Sequence, residues 1–153
     1  TFRVLLPVLD AAPGRAAPEA AKDAAPVAAP RLSGSVLLVD DDAHVLEFME
    51  ELLRDWGLEV QACRDPQHAL AGVASGEISF DWAILDQTMP GMSGLELSRR
   101  LCDVLPDPRI LLYTGYSNQI SEVAVAESGV RELLHKPLDH ARLLRLLSDT
   151  LAR

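Results

Sequence analysis

The chain has 153 residues, 48% hydrophobic and 24% charged, with a net charge of −9, the profile of one ordinary globular domain plus a tail. The surplus of acid over Lys and Arg argues against non-specific binding to nucleic-acid phosphates. No apolar run approaches the roughly 20 residues of a membrane span, and Cys63 and Cys102 stand in separate segments without metal-type spacing, so reduced thiols of a cytoplasmic protein are expected.

The chain opens on Thr1 rather than Met and reads as a piece of something longer. Residues 1–9, TFRVLLPVL, read as a strand. A lone strand cannot bury itself, so this one is expected to end a preceding domain. Residues 10–35 are rich in Ala and Pro, and Pro13, Pro18, Pro26 and Pro30 interrupt any long helix. With so few large apolar side chains the segment is expected to be a linker. The folded unit is expected over residues 36–153.

Within it, strand and helix patterns alternate. Val36–Val39 is the first strand. Val45, Phe48, Met49, Leu52 and Trp56 then recur at helical spacing until Gly57. Leu58, Val60 and Ala62 alternate with Glu59 and Gln61, which predicts a half-exposed strand facing inward through the first three. Asp65 and Pro66 are a cap and a first-turn proline for a short helix through Val73. Trp82–Leu85 is the third strand, and a third helix after Gly94 uses Leu97, Leu101 and Val104. Ile110–Tyr113 is the fourth strand, followed by a weaker helix over about Asn118 to Ser128. Glu132–His135 is the fifth strand, and Asp139 caps a last helix carrying Leu143, Leu144, Leu147 and Leu151.

Strict alternation of this kind predicts a parallel sheet with helices on both faces. The first, third and fourth strands are continuously apolar and belong in the centre, whereas the second and fifth carry polar residues and fit the edges. The expected fold is therefore α/β, a flavodoxin-like doubly wound (βα)5 unit with a five-stranded sheet in the order 2-1-3-4-5. Ligands of such sheets bind beyond the carboxyl ends of the strands.

Those ends carry the chemistry. Asp40, Asp41 and Asp42 follow the first strand, Asp86 ends the third, Thr114 follows the fourth and Lys136 follows the fifth. Bunched carboxylates repel one another and call for a cation. Hard oxygen ligands suit Mg2+ beside a phosphate. A carboxylate with a divalent ion, a lysine and a hydroxyl nearby is equipped for phosphoryl transfer, the carboxylate being the nucleophile. Asp42 reads as a helix N-cap rather than a metal ligand. His44, His68, His135 and His140 lack metal spacing and read as surface or packing residues. Trp56 and Trp82 read as packing, Met89 and Met92 as loop packing, and Arg99 and Arg100 as a solvated helix face.

The motifs LLVDDD, LDQTMPGMSG, YTGYS and HKP, taken together over residues 36–153, resemble a response-regulator receiver domain. The resemblance implies Asp86 as phospho-acceptor, Asp40 and Asp41 as the acidic pair with Asp41 ligating Mg2+ directly, and the Thr88 carbonyl completing the metal site. It assigns Thr114 and Lys136 to the phosphoryl oxygens, implies a cis Lys136–Pro137 bond, and implies a histidine kinase or histidine phosphotransfer domain as partner. Leu133 stands where the family often has an aromatic switch, so that device is in doubt here; Tyr116 is an alternative cover for the site. TFRVLLP resembles the last strand of a histidine-kinase ATP-binding domain, so the whole chain resembles the end of a hybrid histidine kinase. Neither nucleic acid nor membrane is expected to touch this stretch.

Two other functions compete. A Mg2+-dependent phosphohydrolase would place a second acid two residues after the nucleophile to protonate a leaving group, but Thr88 stands there. A non-phosphorylated interaction module would be expected to have lost some of Asp41, Asp86, Thr114 and Lys136, and all four are present.

Overall fold

The computed structural model describes residues 31–115 and 120–151. The expected strand over residues 1–9, most of the expected linker, Tyr116 and the expected start of the fourth helix at Asn118 lie outside the described residues. The elements run β1 (Ser35–Val39), α1 (Ala43–Asp55), β2 (Glu59–Cys63), α2 (Pro66–Ser75), β3 (Trp82–Asp86), α3 (Gly94–Val104), β4 (Ile110–Thr114), α4 (Glu122–Ala126), β5 (Val130–His135) and α5 (His140–Leu151). All strand pairs are parallel, and the five-stranded sheet has the order β2-β1-β3-β4-β5. This is the doubly wound arrangement that the alternation predicts. Among the described residues no helix is long and apolar enough to cross a membrane.

The central position of β1, β3 and β4 follows from composition. Every residue of β3 and β4 is buried, and Leu37, Ile84, Leu85, Leu111 and Leu112 are fully so. Each such side chain contributes about 1.5–3 kcal/mol of transfer free energy. Alternate residues feed two cores. One holds Leu38, Ile84 and Leu111 against Leu46, Met49 and Leu53 of α1 and Leu143 and Leu147 of α5. The other holds Leu37, Leu85 and Leu112 against Ala69 and Val73 of α2 and Leu97 and Leu101 of α3.

Local signals end the helices as their chemistry requires. The Asp42 carboxylate accepts from the His44 amide at 2.9 Å, and Asp65 accepts from Gln67 at 2.8 Å, each satisfying an orphan donor. After α1 the chain reverses at Gly57 (φ +94°), where a Cβ would stand 2.6 Å from the Leu32 carbonyl oxygen; only glycine fits both the conformation and the contact.

Three expectations about facing are corrected. On α1 the inward stripe is Leu46, Met49, Leu53 and Trp56, while Phe48 is 53% exposed. On β2 the inward alternation stops at Val60: Ala62 is exposed, and Cys63 turns into the α2–α3 core instead. β2 is an edge strand covered on both faces only in part, so each face buries what its own helices reach. Val104 is 41% exposed, because α3 spends that side on Leu97, Ser98 and Leu101. Asp139 does start the last helix, its carboxylate accepting from Arg142 at 3.1 Å. Trp56, Trp82, Met89 and Met92 are all buried, and Arg99 and Arg100 are exposed.

Candidate functional site

The carboxyl ends of β1, β3, β4 and β5 deliver the polar residues to one edge of the sheet. Asp86 is the last residue of β3 and is 3% exposed; Asp40 follows β1 and is 1% exposed. Asp41 is half-buried beside it. A carboxylate oxygen from each of Asp40, Asp41 and Asp86 lies within 4.8 Å of the other two. Thr114 ends β4 and is 1% exposed, its hydroxyl donating to the Gly115 carbonyl at 3.3 Å. The Lys136 amide donates to the Thr114 carbonyl at 2.8 Å, which ties the β5–α5 loop to the end of β4. The Lys136–Pro137 bond is cis, as the resemblance implies.

Lys136 reaches over the sheet edge and its Nζ lies 2.8 Å from Asp86 Oδ1. The other oxygen, Oδ2, accepts from the Thr88 amide at 2.9 Å. Asp40 Oδ1 accepts from the Asp42 amide at 2.9 Å, while its Oδ2 is buried and without a hydrogen-bond partner among the described residues. Burial, reinforced by the neighbouring Asp86 and Asp41 carboxylates, pushes the Asp40 carboxyl up to about 6, against the partial offset of the Asp42 amide and Lys136. Burial pulls the Lys136 ammonium down, but the hydrogen bond to Asp86 and the charges of Asp86 and Asp40 outweigh it, so the net shift is upward and the lysine stays cationic. An orphaned buried carboxylate oxygen within a cluster of three acidic side chains fits a hard divalent cation. Asp40, Asp41 and Asp86 are the carboxylates that would hold one.

The loop after Asp86 is stitched down. The Gln87 amide donates to the Tyr113 carbonyl at 3.0 Å, and its side-chain oxygen accepts from Leu95 at 3.1 Å. A Cβ on Gly94 would stand 2.3 Å from the Asp86 carbonyl oxygen, so α3 starts directly against the end of β3 because residue 94 has no side chain. Met89 and Met92 pack beneath this loop.

The structure brings Asp40, Asp41, Asp86 and Lys136 together, ties Thr114 to Lys136 through the backbone, and turns the Asp42 carboxylate aside to cap α1. Thr88 is exposed at the rim. His44, His68, His135 and His140 are all exposed and form no cluster with the carboxylates. Two contributors were not legible in the sequence. Arg64, just past β2, donates to the Asp41 carbonyl at 3.3 Å. Tyr113, read above as a strand residue, places its ring centroid 4.2 Å from Lys136 Nζ. Beside them lies a groove of 420 Å³ lined by His44, Phe48, Tyr113, Lys136, Pro137 and His140, among others.

Known proteins share this fold. The chain is similar to the transcriptional regulatory protein ZraR of Klebsiella oxytoca, at 34% identity over 117 residues covering 76% of this chain and 26% of that one. This chain spans about a quarter of the length of the curated relatives it matches. It superposes on a putative response regulator from Chloroflexus aurantiacus J-10-fl with a TM-score of 0.69 at 30% identity, covering 79% of this chain and 99% of that one. The BeF3-activated DrrB receiver domain matches with a TM-score of 0.68 at 26% identity, over 80% of this chain and 100% of the other. A family model described as the response regulator receiver domain matches residues 36–148. The chain therefore belongs to the response regulator receiver domain family.

Proposed function

We propose that this domain accepts a phosphoryl group on Asp86 from a phosphohistidine of a histidine kinase or histidine phosphotransfer domain, in a Mg2+-dependent reaction. The observation that carries the reading is the meeting of Asp40, Asp41 and Asp86 with an ion-paired Lys136 at one sheet edge. An Asp86 oxygen attacks phosphorus, the P–N bond of the donor breaks, and its electron pair returns to the imidazole; the product is an acyl phosphate and a free histidine. Lys136 exchanges its contact with the carboxylate for one with a phosphoryl oxygen, and the Thr114 hydroxyl leaves the Gly115 carbonyl for another. Asp40, Asp41, Asp86 and the Thr88 carbonyl would hold Mg2+, which would supply positive charge where an anionic nucleophile meets an anionic group.

The receiver unit in this reading covers residues 36–153 and is cytoplasmic. Residues 1–9 end a kinase ATP-binding domain and residues 10–35 form a linker, which makes the parent a hybrid histidine kinase. The TFRVLLP segment and the Ala- and Pro-rich stretch support that assignment; the relatives named above are transcriptional regulators, so the sequence encoded upstream decides it. The acceptor is tested by intact mass after incubation with acetyl phosphate and Mg2+. The chain should gain one phosphoryl group, and Asp86→Asn should gain none. Stoichiometric labelling of that variant would refute the assignment.

A further inference from the structure

We propose that Tyr113 is a positioning residue for the Asp86 reaction: its ring face holds the Lys136 ammonium at the acceptor carboxylate. The inference rests on the reading of Asp86 as phospho-acceptor and gives a role to a residue that the resemblance leaves unassigned.

Lys136 sits on a flexible stem, and its ammonium is a compact charge with rotatable donors. Its side chain is 38% exposed, while Asp86 beside it is 4% exposed. A single contact with Asp86 leaves such a group free to swing into water. Tyr113 supplies a second. Its ring centroid lies 4.2 Å from Nζ, well within cation–π range, and the residue is only 5% exposed. The backbone that carries the ring is fixed on both sides. Its backbone belongs to the fully buried strand β4, in register with Asp86 itself. Its carbonyl takes the Gln87 amide at 3.0 Å. Tyr113 and Lys136 line the same groove, with Val45, Phe48 and Pro137.

The chemistry suits a reaction in which the lysine must change partners. A second carboxylate would compete with the phosphoryl oxygens for the ammonium and add to the repulsion already among Asp40, Asp41 and Asp86. An aromatic face attracts the charge without a fixed hydrogen-bond direction. The ammonium can then move from Asp86 to a phosphoryl oxygen without leaving the ring. A purely structural tyrosine would serve as core volume, and leucine at that position would replace it in kind.

The test uses the full chain with phosphoramidate and Mg2+, following phosphorylation by mass against time. Tyr113→Leu should slow the reaction roughly fivefold to twentyfold, the range expected for losing one partly desolvated cation–π contact. Tyr113→Phe, which keeps the ring face, should restore it to within about twofold. In the unmodified chain, the Lys136 Hε resonances, assigned by their loss in Lys136→Arg, should lie upfield of exposed lysines through the ring current, and they should return to the exposed position in Tyr113→Leu. The NMR comparison of the unmodified chain with Tyr113→Phe decides the matter even where Tyr113→Leu does not fold. Equal rates for all three chains, a Phe variant as slow as Leu, or unshifted Lys136 resonances would overturn the proposal. Those outcomes with Asp86→Asn inert leave the acceptor assignment standing; labelling of Asp86→Asn removes both.

Discussion

Lys136 spans β4 to reach Asp86: its backbone follows β5, its amide is bonded to Thr114 at the end of β4, and its Nζ sits 2.8 Å from a carboxylate that ends β3. The lysine is thus the one cation that neutralises the buried Asp86 among the described residues of the cluster. Replacing it leaves that carboxylate unpaired beside Asp40 and Asp41. Lys136→Met should destabilise the Mg2+-free protein by about 1–2 kcal/mol, less than a fully buried pair would because the lysine is partly solvated. Saturating Mg2+ should return more stability to the variant than to the parent, since the ion then screens the whole cluster. Urea melts with and without Mg2+ measure both, and an equal Mg2+ increment in the two chains would contradict this account.

Asp41 is the more exposed member of the acidic pair, and its loss should act on the metal rather than on the fold. Asp41→Ala should weaken Mg2+ affinity about tenfold or more while leaving the Mg2+-free melting curve unchanged or slightly improved, because removing one of three crowded charges relieves repulsion. Calorimetric titration with Mg2+ reads the affinity. An unchanged affinity would exclude Asp41 as a ligand.

The raised Asp40 carboxyl makes stability depend on pH in a direction opposite to the usual aspartate. Its folded value of about 6 lies above the ordinary 3.8 because burial disfavours the charged form. Between those values the folded chain binds more proton than the unfolded one, so stability falls as pH rises through the interval and levels off above it. In Mg2+-free buffer the protein should be more stable near pH 5 than at pH 7.5, by on the order of 1–2 kcal/mol from this group. Mg2+ affinity should run the other way and rise with pH through about 6, because the proton and the ion compete for Asp40. Asp40→Asn should flatten the stability slope; a slope that survives in that variant belongs to another group.

Gly94 couples the fold to the site. A methyl group there would meet the Asp86 carbonyl oxygen at 2.3 Å and a Leu112 methyl at 2.5 Å. Backbone cannot yield as a flexible side chain does, so Gly94→Ala should cost about 2–3 kcal/mol, at the upper end of overpacking, and should slow phosphorylation by shifting Asp86. Thermal melts and the acetyl phosphate assay test the two halves, and a variant as stable as the parent would show that α3 can move away freely.

How much of this was legible in the sequence depends on how local each cause is. Strand order follows from the unbroken apolar runs Val36–Val39, Trp82–Leu85 and Ile110–Tyr113, because only central strands of a parallel sheet are buried on both faces. The caps Asp42, Asp65 and Asp139 act on their own first turns, and the carboxylates and lysine act from strand ends. What was misread depends on partners far along the chain. Ala62 and Cys63 exchange roles because helices on opposite faces reach the edge strand unequally. Phe48 leaves the core because α1 is rotated towards Leu46 and Leu53, and its ring instead stacks, tilted, 5.5 Å from His140. Val104 lies beyond the sheet's reach. The Tyr113 contact joins β4 to the loop after β5 and has no signature in spacing. The observed α4 is the short segment Glu122–Ala126, shorter than expected, with neither end held by a buried side chain of its own.

That short helix bears on how phosphorylation is transmitted. Leu133 is partly buried on β5 and packs towards the core that contains Leu112 and Ile120. With Val125, Ala126 and the ion-paired Glu132 and Arg142 it lines a shallow groove between α4 and α5. A branched aliphatic side chain there has no hydroxyl to pair with Thr114 and no ring to turn inward, so the rearrangement falls to the backbone after β4. In the proposed reaction the driving free energy comes from contacts of Thr114 and Lys136 with phosphoryl oxygens, which exist only in the modified state. Amide NMR with beryllofluoride and Mg2+ should therefore show shifts spreading from Thr114 through the β4–α4 connection to Glu132, Leu133 and Arg142. The same pattern should persist in Leu133→Ala, reduced in amplitude by no more than about half, since the Ala variant loses packing but not the backbone route. If the shifts in that variant stop at the immediate pocket of Asp86, Thr114 and Lys136, the Leu133 side chain is itself the relay and backbone transmission is wrong.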